Sequence, residues 1–365
     1  MKKNQWIGYL IAVALLVALA LWVRGHSTFE WGVFRDQMQH VNWIRIAIAT
    51  AMIWLGYGLR AVRWAIFLKP QKKVRSLSLL GSQVIGFTAV ALFGRLADLV
   101  RPYLVAKRTQ LELSSQIAVY TVERMFDAGA MALIFSCALL LAPDRATLPH
   151  HEALQRSALM GLAGTVILGA MALWVRLQGN AAALLAERAF GAISPRLGHS
   201  AGNKIRAFRD GLNAIQSGRD LVLAVIVSLA MWGMITVAYV ETLRAFVLSP
   251  ELSSMTVARS LVLMAASMAG SVVQLPVIGW FTQIFATSKV MQGLFHVQYE
   301  PALGCGAMLL IVSFMSVIPL GLIWARIEHV SLKKVSEESE HLAEEEETGH
   351  DGGDQRGLAA GVRPG

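Results

Sequence analysis

Cysteine and charge are both scarce in this chain. Only two of the 365 residues are cysteines, Cys137 and Cys305, and both fall inside apolar runs. Two isolated thiols without a Cys-x-x-Cys pair or a Cys/His spacing exclude a disulfide framework and a zinc site of that type, so we interpret both as packing residues. Only 16% of the residues are charged and 55% are hydrophobic, with a mean hydropathy of +0.52, which excludes an ordinary soluble domain.

Motifs of familiar enzyme and nucleotide sites are also missing. The sequence has no Walker A glycine loop, no His-Glu-x-x-His, no Gly-x-Ser-x-Gly and no aspartate-rich metal motif. We therefore expect no enzymatic activity, no catalytic residue, no cofactor and no metal, and any transport would proceed without ATP. An integral-membrane enzyme that uses Glu123 and Asp127 stays open as an alternative.

Basic residues outnumber acidic ones, 33 to 24, which gives a formal net charge of +9. An excess of this kind can indicate a nucleic-acid partner. Here the basic residues fall largely in loops between apolar runs, and cytoplasmic loops of membrane proteins concentrate Lys and Arg in the same way. We therefore expect no nucleic-acid partner.

Long hydrophobic runs dominate the chain. A helix of about 20 apolar residues spans the hydrocarbon core of a bilayer, and runs of this kind cover residues 6–23, 44–68, 117–141, 157–175, 221–248 and 301–325. Two further runs, 77–93 and 257–295, are apolar but interrupted by Gly, Ser, Thr, Gln or Pro. These eight hydrophobic segments predict an all-α, polytopic integral membrane protein.

Basic clusters predict which loops lie in the cytoplasm. Two lysines precede the first run, and further clusters occupy residues 69–75 and 101–108. The last two clusters can both lie inside only if residues 77–100 enter and leave the membrane on the same face. We therefore predict a re-entrant helical hairpin there, with the N-terminus in the cytoplasm.

The second half repeats this pattern in the opposite orientation. The loop near residues 249–255 has no basic residue, and basic residues after the last run indicate a cytoplasmic C-terminus. The interrupted run 257–295 would then enter and leave from outside, bent at Pro276 and Gly279. We predict six full spans and two opposed re-entrant hairpins, an arrangement that indicates an inverted repeat and is typical of transporter binding sites.

Composition divides the chain into a membrane domain and a tail. Residues 1–330 form the predicted transmembrane domain, whose halves, about 1–177 and 220–330, are joined by a basic cytoplasmic segment, 178–219. Amphipathic stretches in that segment favour contact with the anionic inner leaflet. Residues 331–365 are acidic and Gly-rich and have too little apolar surface to fold, so we expect a disordered tail.

Ionisable residues also occur beside and within the apolar runs. They follow the pattern Gly-Arg-x-x-Asp-x-x-Arg-Pro from Gly94, then a basic pair, then Glu-Arg-x-x-Asp from Glu123. This pattern resembles the flippase-like membrane domain of bacterial lysylphosphatidylglycerol synthases and of their stand-alone relatives. The resemblance covers roughly residues 5–330 and implies a flippase-like domain in the bacterial cytoplasmic (inner) membrane. Only residues 326–365 follow the last span, so we expect a stand-alone member without the aminoacyl-transferase domain.

A second stretch, residues 275–283, is a looser match. The family usually has a proline followed by several glycines and then Glu or Gln. This chain has Pro276, Gly279 and Gln283, with two aromatic residues where further glycines are expected. Because they lie at the break in the apolar run, we expect these three residues to line a cavity.

The charged residues of the motif are the candidate substrate-binding site. Ionised groups at membrane depth cost several kcal/mol unless they are paired or reach water, and the planar fork of the arginine guanidinium suits a phosphate. Arg95 and Asp98 are three residues apart and can pair on one helix face. Alternatively, the ion pairs only fix the hairpin to the next span. We interpret Arg60, Arg63 and Lys69 as snorkelling to the membrane interface. The predicted headgroup site consists of Arg95, Asp98, Arg101, Glu123, Arg124 and Asp127.

The expected function is lipid transport. The chain would move a phospholipid or lipid-linked headgroup between leaflets through a polar cavity while the acyl chains stay in the bilayer. Its partners would be that lipid and the anionic inner leaflet. The alternative is a membrane protein that transports nothing and instead positions a glycosyltransferase or a lipid-modifying enzyme.

Overall fold

The computed structural model describes residues 29–143, 151–212, 217–271, 278–332, 334, 335 and 338. Within these residues the chain is helical and has no strand, which confirms the predicted all-α class. A π-helical turn, Ile311–Met315, joins the last two helices. In chain order, the described helices are α1 (Trp31–Gln39), α2 (Trp43–Leu68), α3 (Ser76–Phe93), α4 (Val100–Thr109), α5 (Leu113–Leu141), α6 (His151–Gly191), α7 (Pro195–Leu212), α8 (Gly218–Arg244), α9 (Pro250–Ser253), α10 (Val257–Gly270), α11 (Ile278–Phe295), α12 (Tyr299–Leu310) and α13 (Val317–Ile327).

Six helical units in the described part of the chain are long and apolar enough to cross a membrane. They are α2, α3, α5, α6, α8 and the continuous unit Tyr299–Ile327, which contains α12 and α13. All but α3 coincide with predicted full spans, and the first predicted span, 6–23, lies outside the described residues. Helix α3 qualifies by length as well, although the sequence assigned it to a re-entrant hairpin. Re-entry into the membrane therefore stays a prediction.

Helices α2 and α8 form a central antiparallel pair with an ion pair at each end. Near the start of α2, Arg45 Nη1 lies 2.7 Å from Glu241 Oε2. At the other end, Lys69 Nζ lies 2.7 Å from Asp220 Oδ1. The largest apolar core extends from this pair to α10, α11 and α12, so the pair connects the two halves of the chain.

Helices α3 and α4 form a hairpin in which the chain just before α3 lies beside the end of α4. Helix α3 ends at Gly94, whose φ of 76° lies in the left-handed region that glycine adopts without a Cβ penalty. Helix α4 then packs so closely on α3 that a Cβ on Gly86 would lie 3.2 Å from Arg101 Cα. Lys72 Nζ donates a hydrogen bond to the Thr109 carbonyl at 2.9 Å. The chain therefore leaves this hairpin at the end where it enters.

Helices α10 and α11 form a second hairpin. Thr282 Oγ1 donates a hydrogen bond to the Gly270 carbonyl at 2.9 Å, and Gln283 Nε2 donates to Ser267 Oγ at 2.8 Å. These bonds join the end of α10 to the first turns of α11, so the helices run antiparallel. Their connection, 272–277, lies outside the described residues. The relation of the two hairpins by an inverted repeat stays a prediction.

Helix α6 is bent at Gln178, whose backbone is not helical (φ −133°, ψ 40°). The bend falls at the predicted end of the first half, residue 177. Beyond it, α6 packs on α7, and Arg206 Nη2 lies 2.6 Å from Glu187 Oε1. The basic segment thus contains two packed helices.

Labelling of single cysteines tests whether both ends of the first hairpin face one side of the membrane. In a background with Cys137→Ala and Cys305→Ala, Gln71→Cys and Ser114→Cys should react with an impermeant thiol reagent from the same side. The expectation follows from a 2.9 Å hydrogen bond that Ser115 Oγ donates to Gln71 Oε1. Gln39→Cys, near the start of α2, is the control for the other side. Labelling of Ser114→Cys from the side of Gln39→Cys would contradict the hairpin.

Candidate functional site

A buried ion cluster joins α2 to α5. Glu123 and Asp127 are four residues apart on α5, so their carboxylates face the same direction. Arg63 of α2 contacts both, with Nη2 2.8 Å from Glu123 Oε1 and Nη1 2.7 Å from Asp127 Oδ1. The Arg63 side chain is fully buried, so this is a two-point ion pair between two apolar helices.

Three further arginines surround the same two acids. Arg101 Nη1 of α4 lies 3.1 Å from Glu123 Oε2. Arg60 Nη1 of α2 and Arg124 Nη2 of α5 each lie 3.2 Å from Asp127 Oδ2. Three helices, α2, α4 and α5, are therefore linked by four arginines that share two carboxylates.

Helix α8 completes the cluster with neutral donors and acceptors. Ser228 Oγ accepts a hydrogen bond from Arg63 Nη1 at 2.9 Å. Trp232 Nε1 donates to Asp127 Oδ1 at 3.3 Å. These contacts satisfy polar atoms that would be costly to bury unpaired, and they fix the depth of α8 relative to α2 and α5.

Arg101 is enclosed by aromatic rings as well as by Glu123. Its guanidinium carbon lies 4.3 Å from the ring centre of Phe87, 5.0 Å from that of Tyr120 and 5.6 Å from that of Trp64. Cation–π contacts at such distances stabilise a desolvated guanidinium. Only 1% of the Arg101 side chain is exposed, so this arginine is part of the protein interior.

A cavity of about 450 Å³ lies beside the cluster, between the two hairpins. Arg60, Arg124 and Asp98 provide the charged part of its wall. Helices α8, α10 and α11 and the π-helical turn provide the opposite part, where the polar side chains are uncharged. These include Tyr239, Ser267, Ser271, Gln283 and Ser313.

The neutral wall contains its own hydrogen-bond network. Ser267 Oγ accepts from Tyr239 Oη at 3.0 Å and from Gln283 Nε2 at 2.8 Å. Ser267 and Gln283 belong to the two helices of the second hairpin, and Tyr239 belongs to α8. Polar side chains from three helices therefore converge on this side of the cavity.

The predicted site residues fall into three groups. Asp98 and Arg124 line the cavity from the first half, and Gly279 and Gln283 line it from the second. The interior ion cluster contains Arg101, Glu123 and Asp127. Pro276 and the side chain of Arg95 lie outside the described residues, so the predicted pair of Arg95 with Asp98 is not tested.

The snorkelling interpretation of Arg60 and Arg63 was wrong. Arg63 has no exposed side-chain surface, and 11% of the Arg60 side chain is exposed, at the cavity. Lys69, which follows α2, lies in an ion pair with Asp220. A signal was present in the sequence, since two acids in one span require partners at similar depth, and Arg60 and Arg63 share one helix face.

Among the described residues, no group of three His, Cys, Asp or Glu side chains could hold a metal ion. The charged part of the cavity wall instead presents guanidinium groups, which bind anions. Its chemistry suits a phosphate or carboxylate group.

Comparison with known families matches residues 5–322 to the lysylphosphatidylglycerol synthase transmembrane region. The chain belongs to this family, which confirms the resemblance drawn from its motifs. Family membership and the six apolar helices identify a multi-pass membrane protein of lipid metabolism or transport. No curated protein and no solved structure matched the chain.

Replacement of Arg63 tests whether its ion pairs hold the spans together. Arg63→Met leaves Glu123 and Asp127 with fewer partners in a buried site, and breaking a buried ion pair costs about 3–5 kcal/mol. We expect a clearly lower thermal unfolding midpoint for the purified protein in detergent. The control is Arg156→Met, since the Arg156 side chain is 79% exposed and pairs with Glu152 across one helical turn. Equal midpoints for Arg63→Met and the unchanged protein would contradict this role.

Arg101 offers a second test, in which a compensating change is expected to restore stability. Arg101→Ala should lower the unfolding midpoint, because Glu123 then stays buried with less positive charge around it. Adding Glu123→Gln should recover part of the loss, which a double-mutant cycle measures as a coupling energy. Arg101→Lys should be intermediate, since lysine keeps the charge without the planar fork. A coupling energy of zero between the two positions would show that the contact contributes nothing.

Proposed function

We propose that the chain moves a phospholipid or a lipid-linked headgroup between membrane leaflets. The headgroup passes through the cavity between the two hairpins, and the acyl chains stay in the bilayer. Neither ATP nor a cofactor takes part, and no catalytic residue is assigned. The protein acts in the bacterial cytoplasmic membrane, with both termini in the cytoplasm.

One observation carries this proposal, the polar cavity enclosed by apolar helices. Arg60 and Arg124 line it, from two helices that are long and apolar enough to span a membrane. Charged side chains at membrane depth are costly and commonly mark substrate pathways. Guanidinium groups bind phosphate oxygens through charge-assisted hydrogen bonds, and a phosphate is present in the headgroup of every phospholipid.

The hairpins support the proposal through their contribution to the wall. Gly94, at the turn of the first hairpin, lines the cavity, as do Gly279 and Trp280 in the first turn of α11. The N-terminus of a helix carries partial positive charge and free backbone N–H groups, which favour an anion. Interrupted helices whose ends meet at a central cavity are the usual binding-site arrangement of transporters.

The roles of Glu123 and Asp127 also follow from their contacts. Both carboxylates are enclosed by arginines, and Asp127 contacts Arg60, Arg63 and Arg124. A carboxylate in such surroundings is held as a structural anion and is poorly placed to attack a substrate or take up a proton. This supports transport over the alternative of an integral-membrane enzyme.

Reconstitution tests the proposal. Purified protein in liposomes should equilibrate labelled phosphatidylglycerol between leaflets without nucleotide. Arg124→Gln should lower the rate about ten- to a hundred-fold, since one charge-assisted contact is worth about 1.5–3 kcal/mol. The fold should persist, because Asp127 keeps its contacts with Arg60 and Arg63.

The exposed Arg156→Gln provides the matched control and should exchange lipid at the unchanged rate. Folded protein that exchanges a broad range of lipids no faster than empty liposomes would contradict transport. That result would favour the non-transporting partner of a glycosyltransferase or lipid-modifying enzyme.

A further inference from the structure

We infer that the cavity selects a phosphate ester of an uncharged polyol or sugar and rejects headgroups that carry an amine. This inference rests on the proposed function, because it names the class of headgroup that the same cavity accepts. It derives from the charges on the wall and from the chemistry of the opposite, neutral wall.

The charges around the cavity do not balance. Helix α3 has no charged residue, and every described residue that lines the cavity from α8, α10, α11 and the π-helical turn is uncharged. Among the described residues, the charged side chains of the cluster and wall are four cations and three anions, a net charge of +1 (four minus three). They are Arg60, Arg63, Arg101, Arg124, Asp98, Glu123 and Asp127.

The excess positive charge faces the cavity. Glu123 and Asp127 are directed into the cluster, where arginines from α2, α4 and α5 surround them. Of the charged side chains that the structure describes, Arg60, Arg124 and Asp98 line the cavity itself, so this part of the wall also has one more cation than anion. The Arg124 side chain is 42% exposed, which leaves it accessible to an occupant.

Both arginines that line the cavity, Arg60 and Arg124, have N–H donors that their ion pairs do not use. A guanidinium has five N–H donors. Within the described residues, Arg60 contacts carboxylates through Nη1 and Arg124 through Nη2. The remaining N–H groups are available to phosphate oxygens, while the ion pairs to Asp127 hold the two guanidiniums in position.

The neutral wall decides what the rest of the headgroup can be. Tyr239, Ser267 and Gln283 offer hydroxyl and amide groups, which hydrogen-bond well to the hydroxyls of a polyol or sugar. No cavity-lining residue of this wall among those described is a carboxylate that could receive an ammonium group. The described carboxylate that lines the cavity, Asp98, belongs to the charged part of the wall with Arg60 and Arg124. A protonated amine at the neutral wall would therefore lose its hydration without gaining a counter-ion there.

The net charge of each headgroup, added to that of the wall, distinguishes the candidate lipids. A monoanionic phosphate diester with a neutral polyol cancels the +1 of the wall. A zwitterionic amine headgroup leaves it unbalanced, and a lysyl group adds positive charge to it. The matched family takes its description from lysylphosphatidylglycerol synthase. The lysyl group of lysylphosphatidylglycerol carries amines, so the inference predicts that this chain does not accept that lipid.

A lipid panel tests the selection. Liposomes with the purified protein would be loaded in turn with labelled phosphatidylglycerol, a polyprenyl-phosphate sugar, phosphatidylethanolamine and lysylphosphatidylglycerol. The two amine-free anionic lipids form separate arms, so they distinguish a glycerophospholipid from a sugar carrier. At least one of them should exchange about tenfold faster than either amine lipid, and a factor of ten corresponds to about 1.4 kcal/mol.

An isosteric variant tests the charge of the neutral wall directly. Gln283→Glu adds one carboxylate to the neutral wall and brings the net charge of the wall to zero. It should lower the ratio of the phosphatidylglycerol rate to the lysylphosphatidylglycerol rate about tenfold. The control is Gln71→Glu, the same change at an exposed position outside the cavity, which should leave the ratio unchanged.

The outcomes separate the inference from the proposed function. Exchange of amine lipids at an equal or higher rate, or a Gln283→Glu ratio equal to that of the control, would overturn the inference and leave transport standing. Folded protein that exchanges no lipid of the panel would overturn both.

Discussion

The contact of Arg63 with two carboxylates is the interaction on which the rest of the structure depends. Three apolar helices meet here, and an ionised group among them is tolerable only with a partner at hydrogen-bond distance. Glu123 and Asp127 therefore fix the depth and rotation of α5 against α2, and Arg101 fixes α4 in the same way. Ser228 extends the constraint to α8. A different register of any of these helices would leave a charge unpaired in an apolar interior.

In the proposed function, the same cluster also prepares the cavity for an anion. Ion pairs with Asp127 hold Arg60 and Arg124 in fixed positions but occupy few of their N–H groups. A guanidinium held in place before its ligand arrives loses little conformational freedom on binding. The interior side of the cluster is thus structural, and its cavity side is available for recognition. Because four arginines share two buried carboxylates, the cluster can hold the helices together and still present guanidinium groups to the cavity.

Interrupted helices are needed for such a cavity. A continuous apolar helix satisfies its own backbone and presents only side chains, whereas the end of a helix exposes N–H groups, which are tolerated at membrane depth only where they line a polar space. Gly94 allows α3 to end and α4 to return beside it. The first turn of α11 meets the cavity from the other half. Each hairpin therefore contributes backbone as well as side chains to the wall.

The sequence by itself determined the helical membrane class, most span limits and the family, because span length and polarity are local properties and the motif from Gly94 is contiguous. It did not identify Arg60 and Arg63 as members of the cluster, since their partner Asp127 follows 67 and 64 residues later. Nor did it show which motif residues face the cavity. Arg101 and Arg124 are both arginines of the motif, yet only Arg124 lines the cavity. Helix rotation decides that difference, and it is set by packing among distant segments rather than by residue type.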